Sequence, residues 1–237
     1  MRRMFYIAVA VVLALGAAYF LGPRAIAEGT IRFDASAIGD DPEAYLAAQE
    51  AGFDNIRDGL AKEIIWADPE RREKTPVSIV YLHGFSASKG EVRPLPDLVA
   101  AELGANLFYT RLTGHGQDGA AMAAATAGDW IDDTAEALAI GRAIGERVVV
   151  IATSTGATLA LWLAHYLAAS ESDFDIGALV LVSPNFAPRD RRAKWMLLPY
   201  GTWLARRVTG GYLCVPPRNA DHARVWLTKQ PVEAAVQ

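Results

Sequence analysis

Residues 148–160 constrain the fold of this chain more than any other part of the sequence. A β-branched, apolar run ends abruptly at Ala152-Thr153-Ser154-Thr155-Gly156, and a helical pattern begins directly behind it. This order of strand, sharp turn and helix is typical of a nucleophile elbow, in which a serine stands at the tip of a strained turn. Such a turn needs small residues at both ends, and Ala152 replaces the usual first glycine. The alternative is an ordinary strand-to-helix turn in which Ser154 has no chemical role.

The amino-terminal residues form a second informative segment. Arg2 and Arg3 precede an uncharged apolar run that extends from Met4 to Gly22. At ~1.5 Å per residue such a helix comes close to crossing a ~30 Å hydrocarbon core, and the arginines favour an inside amino terminus. We therefore predict a transmembrane anchor within residues 1–27, with the domain on the periplasmic or extracellular side. The alternative is a signal peptide cleaved after residues 25–27, which would secrete the domain.

Composition excludes several classes of protein. The net charge of −4 argues against nucleic acid as a partner, while an apolar fraction of 52% is ample for a core. Neither G-x-G-x-x-G nor G-x-x-x-x-G-K-[ST] follows a predicted strand, which disfavours a nucleotide-binding protein. The four histidines are dispersed without the spacing of metal ligands. We expect neither a cofactor nor a metal.

Predicted strands and helices alternate along residues 28–184. Continuous apolar runs at 77–82, 105–109 and 178–182 are typical of buried strands, and helical patterns lie between them. This alternation predicts an α/β fold whose mostly parallel sheet has helices on both faces. Ligands of such sheets bind at the carboxyl ends of the strands. His83-Gly84, Gly114-His115-Gly116 and Ser154 each follow a strand, so we expect all three on that edge.

The character of the sequence changes after Pro184. Residues 185–214 carry six basic side chains against one acidic side chain, with tryptophan, leucine and tyrosine between them. We interpret residues 185–237 as the start of a helical cap or lid that covers a site or touches an anionic membrane surface. The alternative is a surface helix pair with a solvated basic face. Residues 220–236 are predicted to begin a further helix. The basic residues are Arg189, Arg191, Arg192, Lys194, Arg206 and Arg207, and the acidic one is Asp190.

Taken together, residues 77–184 resemble the α/β-hydrolase superfamily, in the branch of the monoacylglycerol lipases and the so-called serine aminopeptidases. The resemblance rests on His83-Gly84-Phe85 after a buried strand, the Gly-His-Gly loop, the elbow and the insertion that follows. It implies that Ser154 is an acyl-accepting nucleophile acting on ester or lipid substrates. It also implies an oxyanion hole made by the backbone N–H groups of Phe85 and Thr155. His83 corresponds to a histidine that shapes the oxyanion turn.

The resemblance leaves the catalytic base unassigned. In the family an Asp or Glu and then a His follow the lid on later strands, whereas no such strand is predicted before Gln237. Of the remaining histidines, His115 lies in a structural loop, His165 lies on a helix predicted to be buried, and His222 lies in the lid beside Asp221. We therefore expect a truncated chain, with an open sheet edge and little hydrolase activity of its own. The alternative is a short, non-catalytic binding protein on a hydrolase scaffold.

Overall fold

The computed structural model describes residues 2–23, 29–170, 176–187 and 191–236. The predicted signal cleavage site at residues 25–27 lies outside these ranges, as do Arg189 and Asp190 of the basic segment. The side chains of Arg191 and Arg192 are also outside the description.

Within the described residues, five strands form one sheet in the order β1-β3-β2-β4-β5. Strand β1 is antiparallel to β3, and every other neighbouring pair is parallel. The predicted mostly parallel sheet is therefore confirmed. Its central strands are continuous apolar runs because both of their faces are covered. The strands are β1 (Glu63–Ile65), β2 (Thr75–Leu82), β3 (Asn106–Tyr109), β4 (Gly145–Thr153) and β5 (Ile176–Val182).

Helices pack on both faces of this sheet, as predicted. Alternate residues of β2 divide between the two sides: Val80 and Leu82 lie in the core beneath α5 and α6, while Ile79 and Tyr81 lie in the core beneath α3. A capping box begins α5, in which Thr126 and Asp129 bond to each other's backbone. The helices are α1 (Arg2–Leu21), α2 (Pro42–Glu50), α3 (Leu95–Leu103), α4 (Gly119–Ala124), α5 (Ala127–Ile144), α6 (Thr155–Ala169), α7 (Gly201–Thr209) and α8 (Ala220–Val225).

Helix α6 is less buried than its apolar sequence predicts. Its buried residues lie on the side that faces the sheet and α5, whereas Leu161 is 40% exposed. His165, expected in the core, is exposed. The prediction was wrong because no described element packs over the outer face of α6. The adjacent edge strand β5 is open as well, and its Val180 is 46% exposed.

The segment after Pro184 forms short elements rather than long helices. A 3-10 turn at Arg191–Leu197 leads into α7, and strands β6 (Tyr212–Cys214) and β7 (Lys229–Pro231) make a small antiparallel sheet. The prediction of one helix through residues 220–236 was wrong, because α8 ends at Val225 and the chain turns extended at Trp226. The N–H of Leu227 donates instead to the carbonyl of Ser86, at 2.7 Å.

Helix α1 projects from the domain at its amino-terminal end. It is 20 residues long with a hydropathy of 2.3, and none of it is buried in the protein. Its length and apolar composition would allow it to cross a membrane, and they are equally compatible with a signal sequence. Where α1 ends, the carbonyl of Pro23 accepts a hydrogen bond from the N–H of Tyr200, at 3.1 Å. The end of the apolar helix therefore touches the chain between the 3-10 turn and α7.

Candidate active site

Ser154 occupies a strained turn between β4 and α6. Its backbone has φ 49° and ψ −114°, a conformation that costs a non-glycine residue about 1–3 kcal/mol. The turn is held from both sides: the N–H of Ser154 donates to Val182 at 2.9 Å, and the N–H of Asn185 donates to the carbonyl of Ser154 at 3.3 Å. The geometry has the form of the elbow predicted from the sequence.

Gly156 explains why the turn needs a glycine on its helical side. A Cβ atom there would lie 2.5 Å from the carbonyl oxygens of both Leu82 and His83. Both atoms belong to the backbone, so neither can move aside cheaply. The start of α6 is therefore in contact with the end of β2, which brings the residues after β2 beside Ser154.

The turn after β2 lies directly against Ser154. A Cβ atom at Gly84 would be 3.2 Å from the Cβ atom of Ser154. The next residue is Phe85, and Ser86 then takes a positive φ of 60°. Within the described part of the chain, the N–H groups of Phe85 and Thr155 donate to no protein acceptor. Two neighbouring turns thus leave two donors without a protein acceptor among the described residues, and such donors are one of the features that an oxyanion hole requires.

Two buried histidines hold this turn in place. Nε2 of His83 accepts the N–H of Leu112 at 3.1 Å, and Nε2 of His115 accepts the N–H of Ser86 at 3.0 Å. Each Nδ1 faces a backbone carbonyl, so each ring is a neutral Nδ1–H tautomer. Burial lowers the pKa of His83 to about 4 and the pKa of His115 well below its ordinary value. Their lone pairs are already used, so neither histidine can serve Ser154 as a base.

The structure brings neither of the other histidines to the hydroxyl of Ser154. His165 is exposed on α6, and His222 lies on α8 with its ring stacked on Trp226 at 5.3 Å. Among the described residues no side chain forms a hydrogen bond with the Ser154 hydroxyl. The base that a serine nucleophile needs is therefore not assembled within the described ranges.

Glu91 is the residue near this site that sequence analysis missed. Its carboxylate accepts the N–H of Gly84 at 2.8 Å and the hydroxyl of Tyr81 at 3.0 Å. The other carboxylate oxygen would lie 2.9 Å from a Cβ atom at Gly84. Burial raises the pKa of Glu91, and the two hydrogen bonds oppose that shift. The sequence offered no signal for this contact beyond an acidic residue seven positions after Gly84.

Two cavities are lined by residues of the turn that follows β2. One has a volume of about 530 Å³ and includes Phe85, Thr155 and Asn185, with apolar walls from α5, α6, β6 and residues 234–235. The other, of about 370 Å³, includes Ser86, Glu91 and His222 and is more polar. The apolar residues lining the larger cavity are Ala127, Trp130, Ile131, Leu159, Trp162, Leu213, Ala234 and Ala235. Over the described ranges, no group of three or more His, Cys, Asp or Glu residues is arranged to hold a metal ion.

Comparisons with known proteins agree with this arrangement. Residues 79–235 match the alpha/beta hydrolase family. The chain is 31% identical over 100 residues to a thermostable monoacylglycerol lipase from Bacillus sp. (strain H-257), a match covering 42% of this chain and 40% of the lipase. A solved structure from work on the metagenome-derived lipolytic enzymes LipS and LipT superposes with a TM-score of 0.57 at 20% identity, covering 75% of this chain and 66% of that one. The chain thus aligns with less than half of the curated lipase.

Proposed function

Because the chain belongs to the alpha/beta hydrolase family, we propose that it is a serine hydrolase that cleaves carboxylic esters. The observation that carries the proposal is the strained Ser154 beside the free N–H groups of Phe85 and Thr155. The hydroxyl oxygen of Ser154 attacks the ester carbonyl carbon, and the two N–H groups stabilise the resulting oxyanion. The C–O bond to the alcohol then breaks, the alcohol leaves with a proton, and water hydrolyses the acyl-serine.

The larger cavity supports a lipid-type substrate. It lies against both proposed oxyanion donors and is walled mainly by apolar side chains, among them Trp130, Leu159 and Trp162. An acyl chain seated there would bury apolar surface at about 25 cal/mol per Å². The similarity to a protein named as a monoacylglycerol lipase favours the same class of ester.

We propose a three-part organisation of the chain. Residues 1–27 anchor the protein in the membrane, with cleavage as a signal peptide the alternative, and place the domain on the exported side. Residues 28–184 form the hydrolase core, and residues 185–237 belong to the lid. Since the described residues give Ser154 no base, we also propose that the 237-residue chain by itself turns over esters slowly or not at all.

Exposed side chains of the lid support the proposal of a second contact with the membrane. Around the point where α1 meets Tyr200, the exposed side chains include Trp195 at 68% and Trp203 at 55%. Arg207 lies over the ring of Trp203, at 5.0 Å, and Lys194 is near in sequence. Aromatic and basic side chains beside a membrane helix suit the surface of an anionic bilayer.

Quenching by brominated lipid tests this membrane contact. In anionic vesicles, Trp203→Phe should lower the quenching of tryptophan fluorescence relative to wild type, because it removes a fluorescent indole that is placed at the bilayer. The matched variant Trp66→Phe, which changes a ring beyond β1, should leave the quenching unchanged. Equal effects of the two substitutions would contradict the docking of the lid.

A fluorophosphonate probe tests the hydrolase itself. In the protein expressed from its whole gene, the probe should add one phosphonyl group at Ser154, detected by mass spectrometry of the intact protein and its peptides. Ser154→Ala should abolish the adduct, whereas Ser170→Ala, at the other end of α6, should not. Absence of labelling in that protein would favour the second candidate, a non-catalytic binding protein. This candidate is supported by the Ser154 hydroxyl, which has no hydrogen-bond partner among the described residues. Robust turnover by the 237-residue chain, lost in Ser154→Ala, would refute its proposed inactivity.

A further inference from the structure

A partly buried network of hydrogen bonds links the two turns that carry the proposed oxyanion donors. Oε2 of Glu91 accepts the N–H of Gly84 at 2.8 Å and the hydroxyl of Tyr81 at 3.0 Å. The same hydroxyl lies 3.2 Å from Oγ1 of Thr153. Gly84 directly precedes Phe85, and Thr153 directly precedes Ser154. The carboxylate thus binds one turn directly and reaches the other through Tyr81.

From this geometry we infer that Glu91 is a positioning residue for the oxyanion hole: it fixes the peptide before Phe85 so that the Phe85 N–H stays aimed at the substrate oxygen. The inference rests on the proposed hydrolase function. The N–H of Gly84 is used by the carboxylate, so it cannot compete for the substrate oxygen. The N–H of Phe85, one residue on, is left without a protein acceptor within the described residues.

Contacts of neighbouring residues hold Glu91 beside Gly84, although its side chain also lines the cavity of about 370 Å³. A Cβ atom at Gly84 would be 2.9 Å from Oε1 of Glu91 and 3.2 Å from Cβ of Ser154, so only a glycine lets these two residues face each other. Glu91 is the last residue of a short 3-10 turn, Lys89–Glu91, whose first residue Lys89 pairs with Glu63 at 2.5 Å. On the other side Gly90 lies against Val225 of α8. The backbone of this turn is therefore held between β1 and α8.

An ionised carboxylate beside an oxyanion hole is electrostatically unfavourable to the developing negative charge. Its retention there requires a compensating role, and the hydrogen bond to Gly84 supplies one. The substitution Glu91→Gln distinguishes a positioning role from general-base catalysis. A neutral glutamine still accepts the N–H of Gly84, but it cannot accept a proton from Ser154.

The test compares Glu91→Gln with Glu91→Leu in the protein expressed from its whole gene. The readouts are the second-order rate constant for phosphonylation of Ser154 and the midpoint of thermal unfolding. Glu91→Gln should react at least as fast as wild type, because it keeps the acceptor and removes the charge. Glu91→Leu should react about 10- to 100-fold more slowly, since a displaced donor of this kind costs up to about 10²-fold.

Two tyrosines provide a matched control. Tyr81 and Tyr109 lie on neighbouring strands with rings 5.6 Å apart, and each hydroxyl donates to a carboxylate. The acceptor of Tyr109 is Asp97, whereas only Tyr81 reaches Thr153. Tyr81→Phe should slow phosphonylation several-fold, and Tyr109→Phe should not change it. Equal slowing in both, or a loss in Glu91→Gln as large as in Glu91→Leu, overturns the inference.

A second readout does not depend on activity. If wild type is not labelled at all, the proposed function fails, and amide hydrogen exchange of Gly84 then decides the role of Glu91. Glu91→Leu should accelerate that exchange at least about 10-fold, because the N–H loses its acceptor, while Glu91→Gln should preserve the protection. Unchanged exchange in Glu91→Leu overturns the inference whatever the probe shows.

Discussion

The backbone strain at Ser154 predicts an unusual ranking of two substitutions. Alanine at this position must keep φ 49° and ψ −114°, whereas glycine adopts that conformation freely. Relief of strain is worth about 1–3 kcal/mol, and glycine loses about 0.4–1 kcal/mol through the entropy of the unfolded chain. We therefore expect Ser154→Gly to be more stable than Ser154→Ala by about 1 kcal/mol. For a chain of this size that corresponds to about 2–4 °C in the unfolding midpoint.

Ser170 supplies the control for this ranking. It caps the other end of α6 with φ −90° and ψ 5°, a conformation without positive φ. There the entropy loss acts alone, so Ser170→Gly should be less stable than Ser170→Ala by about 0.4–1 kcal/mol. Thermal unfolding of the four variants in detergent, followed by circular dichroism, measures both differences. If glycine is the less stable substitution at Ser154 as well, the turn is not strained and the reasoning fails.

Three further predictions concern the stability of the core. Gly156→Ala should lower the free energy of unfolding by about 1–3 kcal/mol in urea, because its Cβ would lie 2.5 Å from two backbone carbonyl oxygens. Gly52→Ala should be nearly neutral, because its Cβ would lie 3.4 Å from the nearest atom, the carbonyl oxygen of Gln49. Arg111→Met should cost about 3–5 kcal/mol, since it leaves the partly buried Glu50 without its partner at 2.7 Å, whereas Arg72→Met on the surface should change little. The free energy of unfolding should fall as pH is lowered from about 6.5 to about 4, because the unfolded chain binds protons that the buried rings of His83 and His115 do not bind. The fall should be up to about 1.4 kcal/mol per pH unit for each histidine. Burial raises the pKa of Asp133 to about 6, which opposes this trend, so Asp133→Asn should steepen the pH dependence; a shallower one would contradict the assignment.

The sequence predicted those parts of the site that depend on local structure. The apolar run of β4, the small residues around Ser154 and the helical pattern behind them all act within one short segment, so their pattern specifies the turn. The predicted shared edge also follows from local signals, because the carboxyl ends of parallel strands must lie together. His83, Gly84 and Ser154 do meet there.

Contacts between distant segments account for what the sequence could not predict. Residues 220–236 look helical by composition, but the N–H of Leu227 donates to Ser86 and the side chain of Gln230 donates to the hydroxyl of Ser86, at 2.8 Å. Those bonds favour an extended chain, and Pro231 cannot donate within a helix. Glu91 was missed for the same reason, since its partners Tyr81 and Gly84 are recognised only once β2 and the 3-10 turn Lys89–Glu91 are folded together.

Departures from local rules converge on one edge of the sheet, and this convergence is an argument for function that does not depend on family resemblance. Among the described residues, five non-glycine residues have a positive φ, and three of them, Ser86, Ser154 and Ser183, follow the parallel strands β2, β4 and β5; Arg72 and Tyr200 lie elsewhere. Beside them lie the partly buried carboxylate of Glu91 and two buried histidines that are held neutral. Each feature costs stability where it stands, and strain of this kind is retained mainly where a site requires it. These destabilising features surround Ser154 and the N–H of Phe85, which has no protein acceptor among the described residues. They therefore identify the same place that the proposed chemistry needs.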